Sequence, residues 1–190
     1  MRFYNEVQGT PSFLIDGKLL DEAVGGPADR GEASYAALRA ALDRAMNSPS
    51  GARLKLVARR TGDAVELTAD VSDLSRPGEK TRLRFVLAED VVHYAAPNGR
   101  RLHHRVVRDF PGGADGFALR EKTAKKTVKV ELPAVRQQLE AYLTLNPARQ
   151  PFPDDDRPLE LQEFKAVAFV QDDATKEVLQ AAQVDVPGEK

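Results

Sequence analysis

The chain contains no cysteine. That absence removes disulfide cross-links, thiolate nucleophiles, and zinc or iron–sulfur sites built on sulfur ligands. It leaves the compartment open, because a chain of 190 residues can bury enough apolar area to fold without disulfides. An excess of one charge is also lacking: 28 Lys and Arg face 29 Asp and Glu, for a net charge of -1. Such a balance gives no long-range field to gather phosphate backbones or anionic lipid, so no nucleic-acid partner is expected. No stretch approaches the ~20 apolar residues that would cross a bilayer, so no membrane span is expected. Met1-Arg2-Phe3-Tyr4-Asn5 likewise lacks the apolar core of a signal peptide. There is no Gly-x-Ser-x-Gly elbow and no glycine-rich loop ending in Lys-Ser or Lys-Thr, which leaves serine nucleophiles and nucleotide chemistry unsupported. No cofactor is expected.

What is present describes an ordinary folded protein, 42% hydrophobic and 30% charged. The segment from Val7 to Lys18 has a Gly-Thr-Pro turn, the apolar run Phe13-Leu14-Ile15, then Asp16-Gly17 at hairpin position before Leu19-Leu20, which reads as a β-hairpin. A loop at Gly25, Gly26 and Pro27 follows. From Ser34 to Met46 the spacing predicts a helix with Tyr35, Leu38, Leu42, Ala45 and Met46 on one stripe and Arg39, Asp43 and Arg44 opposite. Asn47-Ser48-Pro49 ends it. A hairpin plus one helix, residues 1–48, is near the size where single cores fail, so it needs a partner surface, supplied by the rest of this chain, by a second copy in a homodimer, or by a segment upstream.

From Ala52 the apolar period shortens to two. Leu54 and Leu56 are followed, after Thr61-Gly62-Asp63, by Val65, Leu67, Ala69 and Val71. Arg76-Pro77-Gly78-Glu79 precedes a further strand at Leu83, Phe85 and Leu87. Asn98-Gly99, a pair that tolerates the left-handed angles of a type I′ turn, joins Val91–Ala95 to Leu102–Asp109. Alternation recurs at Val128, Val130 and Leu132. The runs 164–170 and 178–186 flank Asp172-Asp173-Ala174-Thr175 as a closing hairpin. The expected class is α+β, mostly β: a hairpin plus helix over 1–48, then an immunoglobulin-like antiparallel sandwich over 52–190. A helical insertion near 133–145 carries Val135, Leu139, Tyr142 and Leu143, and Pro151–Pro158 with Asp154, Asp155 and Asp156 reads as an exposed loop.

The order Val7-Gln8-Gly9-Thr10-Pro11-Ser12-Phe13-Leu14-Ile15-Asp16-Gly17, a Gly-Gly loop and a helix resembles the second half of thioredoxin-like proteins. The resemblance implies a cis peptide bond at Pro11 and a backbone at Thr10 that meets an extended peptide substrate. The family's Cys-x-x-Cys pair would stand upstream of residue 1, and no cysteine here replaces it. The later segments His103-His104-Arg105-Val106-Val107-Arg108 and Ala168-Phe169-Val170-Gln171-Asp172 are similar to C-terminal regions of bacterial exported thioredoxin-like proteins, including outer-membrane lipoprotein relatives. That resemblance implies a β-sandwich appended to a thioredoxin-like domain, in a periplasmic or secreted setting, with a protein or peptide as partner. It names no reaction. Two functions follow: a non-catalytic interaction or accessory module, or the C-terminal part of a thiol–disulfide oxidoreductase in which Thr10 and Pro11 guide the substrate.

Other candidates are polar clusters. His93, His103 and His104 are the only histidines, and the hairpin is expected to bring His93 near one of the other two. Adjacent strand residues point to opposite faces, however, so a shared metal ion is disfavoured. Asp154 to Asp156 lack the alternating ligands, glycine and bidentate Glu of a calcium loop. Asp172 and Asp173 read as turn residues that bond their own backbone. Arg120, Lys122, Lys125, Lys126 and Lys129, diluted by acids and without interleaved aromatics, read as a solvated face.

Overall fold

The computed structural model describes residues 12–20, 31–96, 99–145 and 159–188. The chain is α+β and mostly β. Strands β1 (Leu14–Ile15) and β2 (Lys18–Leu19) pair antiparallel. Their turn is Asp16-Gly17 with φ of 48° and 78°, the doubly left-handed geometry that Asp-Gly tolerates. Helix α1 (Gly31–Met46) begins three residues before the periodicity places it and stops where expected. The Asn47 amide donates to the Asp43 carbonyl at 2.8 Å and the Ser48 hydroxyl to the Arg44 carbonyl at 2.9 Å, satisfying two of the final acceptors.

The sheltered face of α1 shares Leu38 and Ala45 with the apolar stripe but not its bulkier members. Ser34, Ala37, Leu38, Ala41 and Ala45 are the sheltered positions, whereas Tyr35, Leu42 and Met46 stand 62%, 45% and 83% exposed. The helix meets strand β1. Small side chains line the sheltered face and permit close approach, so the bulky apolar residues are turned outward.

Strands β3 (Arg53–Thr61), β4 (Ala64–Ser72) and β8 (Ala124–Glu131) form one antiparallel sheet in the order β3-β4-β8. The second sheet runs β10-β9-β5-β6, from β5 (Gly78–His93), β6 (Leu102–Asp109), β9 (Phe164–Asp172) and β10 (Val178–Asp185). Strand β7 (Phe117–Leu119) pairs the opening half of β5. Alternation decides what faces inward: Val65, Leu67, Ala69 and Val71 of β4 are buried against Leu83, Phe85 and Leu87 of β5 and Ala166, Ala168 and Val170 of β9, in one continuous core. Phe117 meets Phe85 edge to face, ring centres 6.2 Å apart. Gly116, at φ 61°, lets its loop reach β5, for a Cβ there would lie 2.3 Å from the Leu83 carbonyl oxygen.

Strand β5 is longer than the sequence led us to expect. Leu83–Leu87 and Val91–Ala95 read as separate strands because Glu89 and Asp90 interrupt the apolar pattern, yet they form one strand of 16 residues. In the β5–β6 connection the Gly99 N–H donates to the Ala96 carbonyl at 2.9 Å, and Gly99 has φ 80°. Residues Pro97 and Asn98 lie outside the described residues.

Leu132, expected to continue the β8 alternation, instead opens helix α2 (Leu132–Leu145), its N–H held by the Asp63 carbonyl at 2.9 Å. Leu132 and Val135 are buried, Leu139 and Leu143 are half-buried, and Tyr142 is exposed. The closing turn behaves as expected: Asp172 Oδ1 accepts from the Ala174 N–H at 2.9 Å. Phe85→Ala should cost about 3–5 kcal/mol by opening a cavity where both sheets meet. Urea denaturation checks this, and a loss below about 1 kcal/mol would place Phe85 outside the core.

Candidate functional site

Three polar constructions compete with one apolar surface. The histidines are dispersed: His93 pairs with Leu102 in the β5–β6 register, His103 with Val92 and His104 with Val91. His93 and His104 are exposed. His103 Nε2 is 3.1 Å from the Tyr94 carbonyl oxygen and its ring leans toward the Tyr94 ring. Among the described residues no group of three or more His, Asp and Glu is placed to hold a metal ion. Thr10 and Pro11, like Asp154 to Asp156, lie outside the described residues. The basic cluster is dispersed into local contacts: Lys125 sits 3.3 Å from Asp70, Lys129 2.6 Å from Glu131, and Lys126 over the Phe117 ring.

The first polar construction is the pair Glu89 and Arg108, whose side chains are 3% and 9% exposed. Arg108 Nε donates to Glu89 Oε2 at 2.8 Å, and the Gln162 N–H donates to Oε1 at 2.9 Å. Every strong acceptor on that carboxylate is thereby met, which is the condition for burying it. Around it Leu161, Glu163 and Arg105 take left-handed φ of 54°, 48° and 57°, unusual for side chains of their kind.

The second is Arg84, which sends Nη1 and Nη2 to the two carboxylate oxygens of Asp173 at 2.8 and 3.0 Å and Nε to the Ala114 carbonyl at 2.7 Å. One guanidinium thus ties β5 to the β9–β10 turn and to the glycine-rich loop before β7. The third is the seat of the opening hairpin. The Val178 N–H donates to the Asp16 carbonyl at 2.8 Å, and a Cβ at Gly17 would come within 1.8 Å of the Lys176 carbonyl oxygen. Arg76 braces the same turn through Glu177 at 2.7 Å.

All three constructions are internally satisfied, which is the signature of structural polar networks. A groove of about 390 Å³ between the start of α2 and residues 160–162 is lined by Arg60, Arg136 and Glu140 among others. Both arginines there donate to backbone carbonyls, Arg60 to Gly62 and Arg136 to Leu159 and Glu160. The apolar surface is the outward row of Tyr35, Leu42 and Met46 on α1. Sequence reasoning found those residues as an apolar stripe in need of a partner surface, and it missed Glu89, Arg108 and Arg84. The acidic pair Glu89-Asp90 interrupting a long apolar stretch was the available signal for the first of these.

No family model matches the chain, and no curated protein matches it. Among solved structures, HBP35 of Porphyromonas gingivalis is similar with a TM-score of 0.58 at 15% identity, over 96% of this chain and 55% of that one. A domain of the outer membrane lipoprotein Omp28 from the same organism is similar with a TM-score of 0.47 at 16% identity, over 75% of this chain and 93% of that one. The likeness to HBP35 shows a shared fold, and this chain spans little more than half the length of that structure.

Glu89→Leu should destabilise by about 3–5 kcal/mol because it strands a buried guanidinium, while Glu89→Leu with Arg108→Met should recover most of the loss. Equal damage in the single and double variants would contradict the pairing. Asp109, beside this pair in sequence, has its carboxyl pKa raised by burial, partly offset by a bond from the Phe110 N–H. A raised carboxyl favours the fold only while protonated, so stability drains away as pH rises through the carboxylate range. Asp109→Asn should therefore be the more stable form near neutral pH and match the parent below about pH 3; thermal melts across that range decide it.

Proposed function

We propose that the chain is a non-catalytic protein-interaction or accessory module of a cell-envelope protein, with residues 1–48 as a partial thioredoxin-like element and 52–190 as an immunoglobulin-like sandwich. The observation that carries the reading is the outward row of Tyr35, Leu42 and Met46 on a helix whose sheltered side is mostly alanine. Exposed bulky apolar residues on an ordered helix mark contact surfaces. The strand orders support the sandwich: β3-β4-β8 corresponds to A-B-E and β10-β9-β5-β6 to G-F-C-C′ of an immunoglobulin-like domain. Its extracytoplasmic location rests on the sequence resemblance. Without a sulfhydryl the chain by itself can form no mixed disulfide.

A second reading is favoured by the hairpin of Leu14 to Leu19 followed by a helix, the order found after the Thr-Pro segment in thioredoxin-like proteins. The chain would then complete an oxidoreductase whose Cys-x-x-Cys half is encoded upstream, with Thr10 and Pro11 guiding the peptide. A cysteine pair in frame ahead of Met1 would favour that reading over the first.

The full chain should give no insulin reduction above buffer, and turnover by this chain alone would sink the non-catalytic reading. Tyr35→Glu and Leu42→Glu should each change stability by no more than about 0.5 kcal/mol, as expected of surface positions. A loss above about 2 kcal/mol in a urea melt would mean that this row is buried by the chain itself.

A further inference from the structure

We infer that the outward row of α1 pairs with the same row on a second copy of this chain, the two helices lying antiparallel about a two-fold axis. The inference names a partner for the α1 surface and rests on the reading of that row as a contact surface. At about 100° per residue, the apolar positions of α1 form one broad sector. Ala37 and Ala41 are sheltered on the side that meets β1, Leu38 and Ala45 are half-buried next to them, and Tyr35, Leu42 and Met46 complete the sector in solvent. Strand β1 covers one side of the sector and leaves the other open.

The row supplies its own complement. It runs about 16 Å from Tyr35 to Met46 at the helical rise. When Tyr35 of one copy lies level with Met46 of an antiparallel second copy, an aromatic ring meets a thioether at both ends, a favourable contact. The two Leu42 side chains then meet near the two-fold axis. Such an interface is self-complementary and closes at two copies.

The same register decides the charges. Arg39 and Asp43 line one flank of the row, 3.8 Å apart, with side chains 67% and 62% exposed. Arg39 Nη1 also reaches the Tyr35 hydroxyl at 3.5 Å. In the antiparallel register Arg39 lies within one residue's rise, about 1.5 Å, of the level of Asp43 on the second copy, and Asp43 stands likewise to the second copy's Arg39. The two in-helix pairs thereby join into one cluster of alternating sign, with opposite ends of the helix dipoles side by side. A parallel pair would instead turn the Arg39 and Asp43 flank toward Leu38 and Ala45 of the other copy. A strongly acidic or strongly basic partner would set a like charge against Asp43 or against Arg39, whereas a second copy matches both. One helix of 16 residues from each copy makes a small interface, so the pairing is weak and reversible and dilute protein is monomeric.

Sedimentation equilibrium of the full chain, from micromolar to millimolar concentration, should show a monomer–dimer equilibrium. Leu42→Glu should weaken the dimer about tenfold or more, as expected at the centre of an interface. Arg39→Asp and Asp43→Arg should each weaken self-association, while an equimolar mixture of these two variants should associate at least as well as the parent. In the mixture one copy presents only carboxylates along that flank and the other only guanidiniums. Far-UV circular dichroism and urea midpoints of the variants, taken on dilute protein, should match the parent. A parent that stays monomeric throughout, growth beyond a dimer, or a mixture no better associated than either variant alone would each overturn the self-pairing. With the urea midpoint of Leu42→Glu unchanged, such a result leaves the row a contact surface for a different partner. A large stability loss in Leu42→Glu would overturn the underlying reading of the row, and the pairing with it.

Discussion

Strand β5 is the member on which the rest of the structure leans. It is hydrogen-bonded along both edges, to β9 from Thr81 to Glu89 on one side and to β7 and then β6 on the other. Leu83, Phe85 and Leu87, each with no exposed surface, form the middle of the core. The same strand also buries Arg84 and Glu89, which is tolerable only because each charge is matched in place. Those two residues extend the authority of β5 beyond its own sheet. Arg84 fixes the turn after β9 and the loop before β7, and Glu89 fixes β6 and the residues leading into β9.

The opening hairpin and α1 are organised on different terms. Among the described residues the hairpin rests on the sheets through a backbone seat at Asp16 and Gly17, where the turn of one hairpin meets the turn of another, with Lys18 4.0 Å from Glu177 beside it. Of the residues in α1 only Ala41 is fully buried. Apolar area converts to stability only when it leaves water, so this part gains little from its bulkiest side chains as they stand. Covering them with another surface would supply what the element lacks, and this links its weak packing to a role in association.

Much of the fold was legible because period-two alternation is a direct record of burial. Val65, Leu67, Ala69 and Val71 declared β4, Asp16-Gly17 declared the turn of the opening hairpin, and Val135 and Leu139 declared the docked face of α2. What escaped was non-local. Strand β7 is three residues long, too short to hold a pattern. The continuity of β5 was hidden by Glu89, whose burial depends on an arginine 19 residues away in sequence. The orientation of α1 was left open because Ala37, Ala41 and Ala45 and the bulky row both fit helical spacing, and the choice between them is made by a strand elsewhere in the chain. Of the candidate site, the histidines were visible but their separation across the β5–β6 register was foreseen only for the adjacent pair.

Hydrogen–deuterium exchange on the full chain tests most directly whether two unequal parts are present. Amides of β4, β5 and β9 should exchange slowest and together, as one cooperative unit, while those of α1 and the opening hairpin exchange orders of magnitude faster. If α1 proved as protected as β5, the helix would belong to a self-sufficient core, and the case for an exposed surface awaiting a partner would fail.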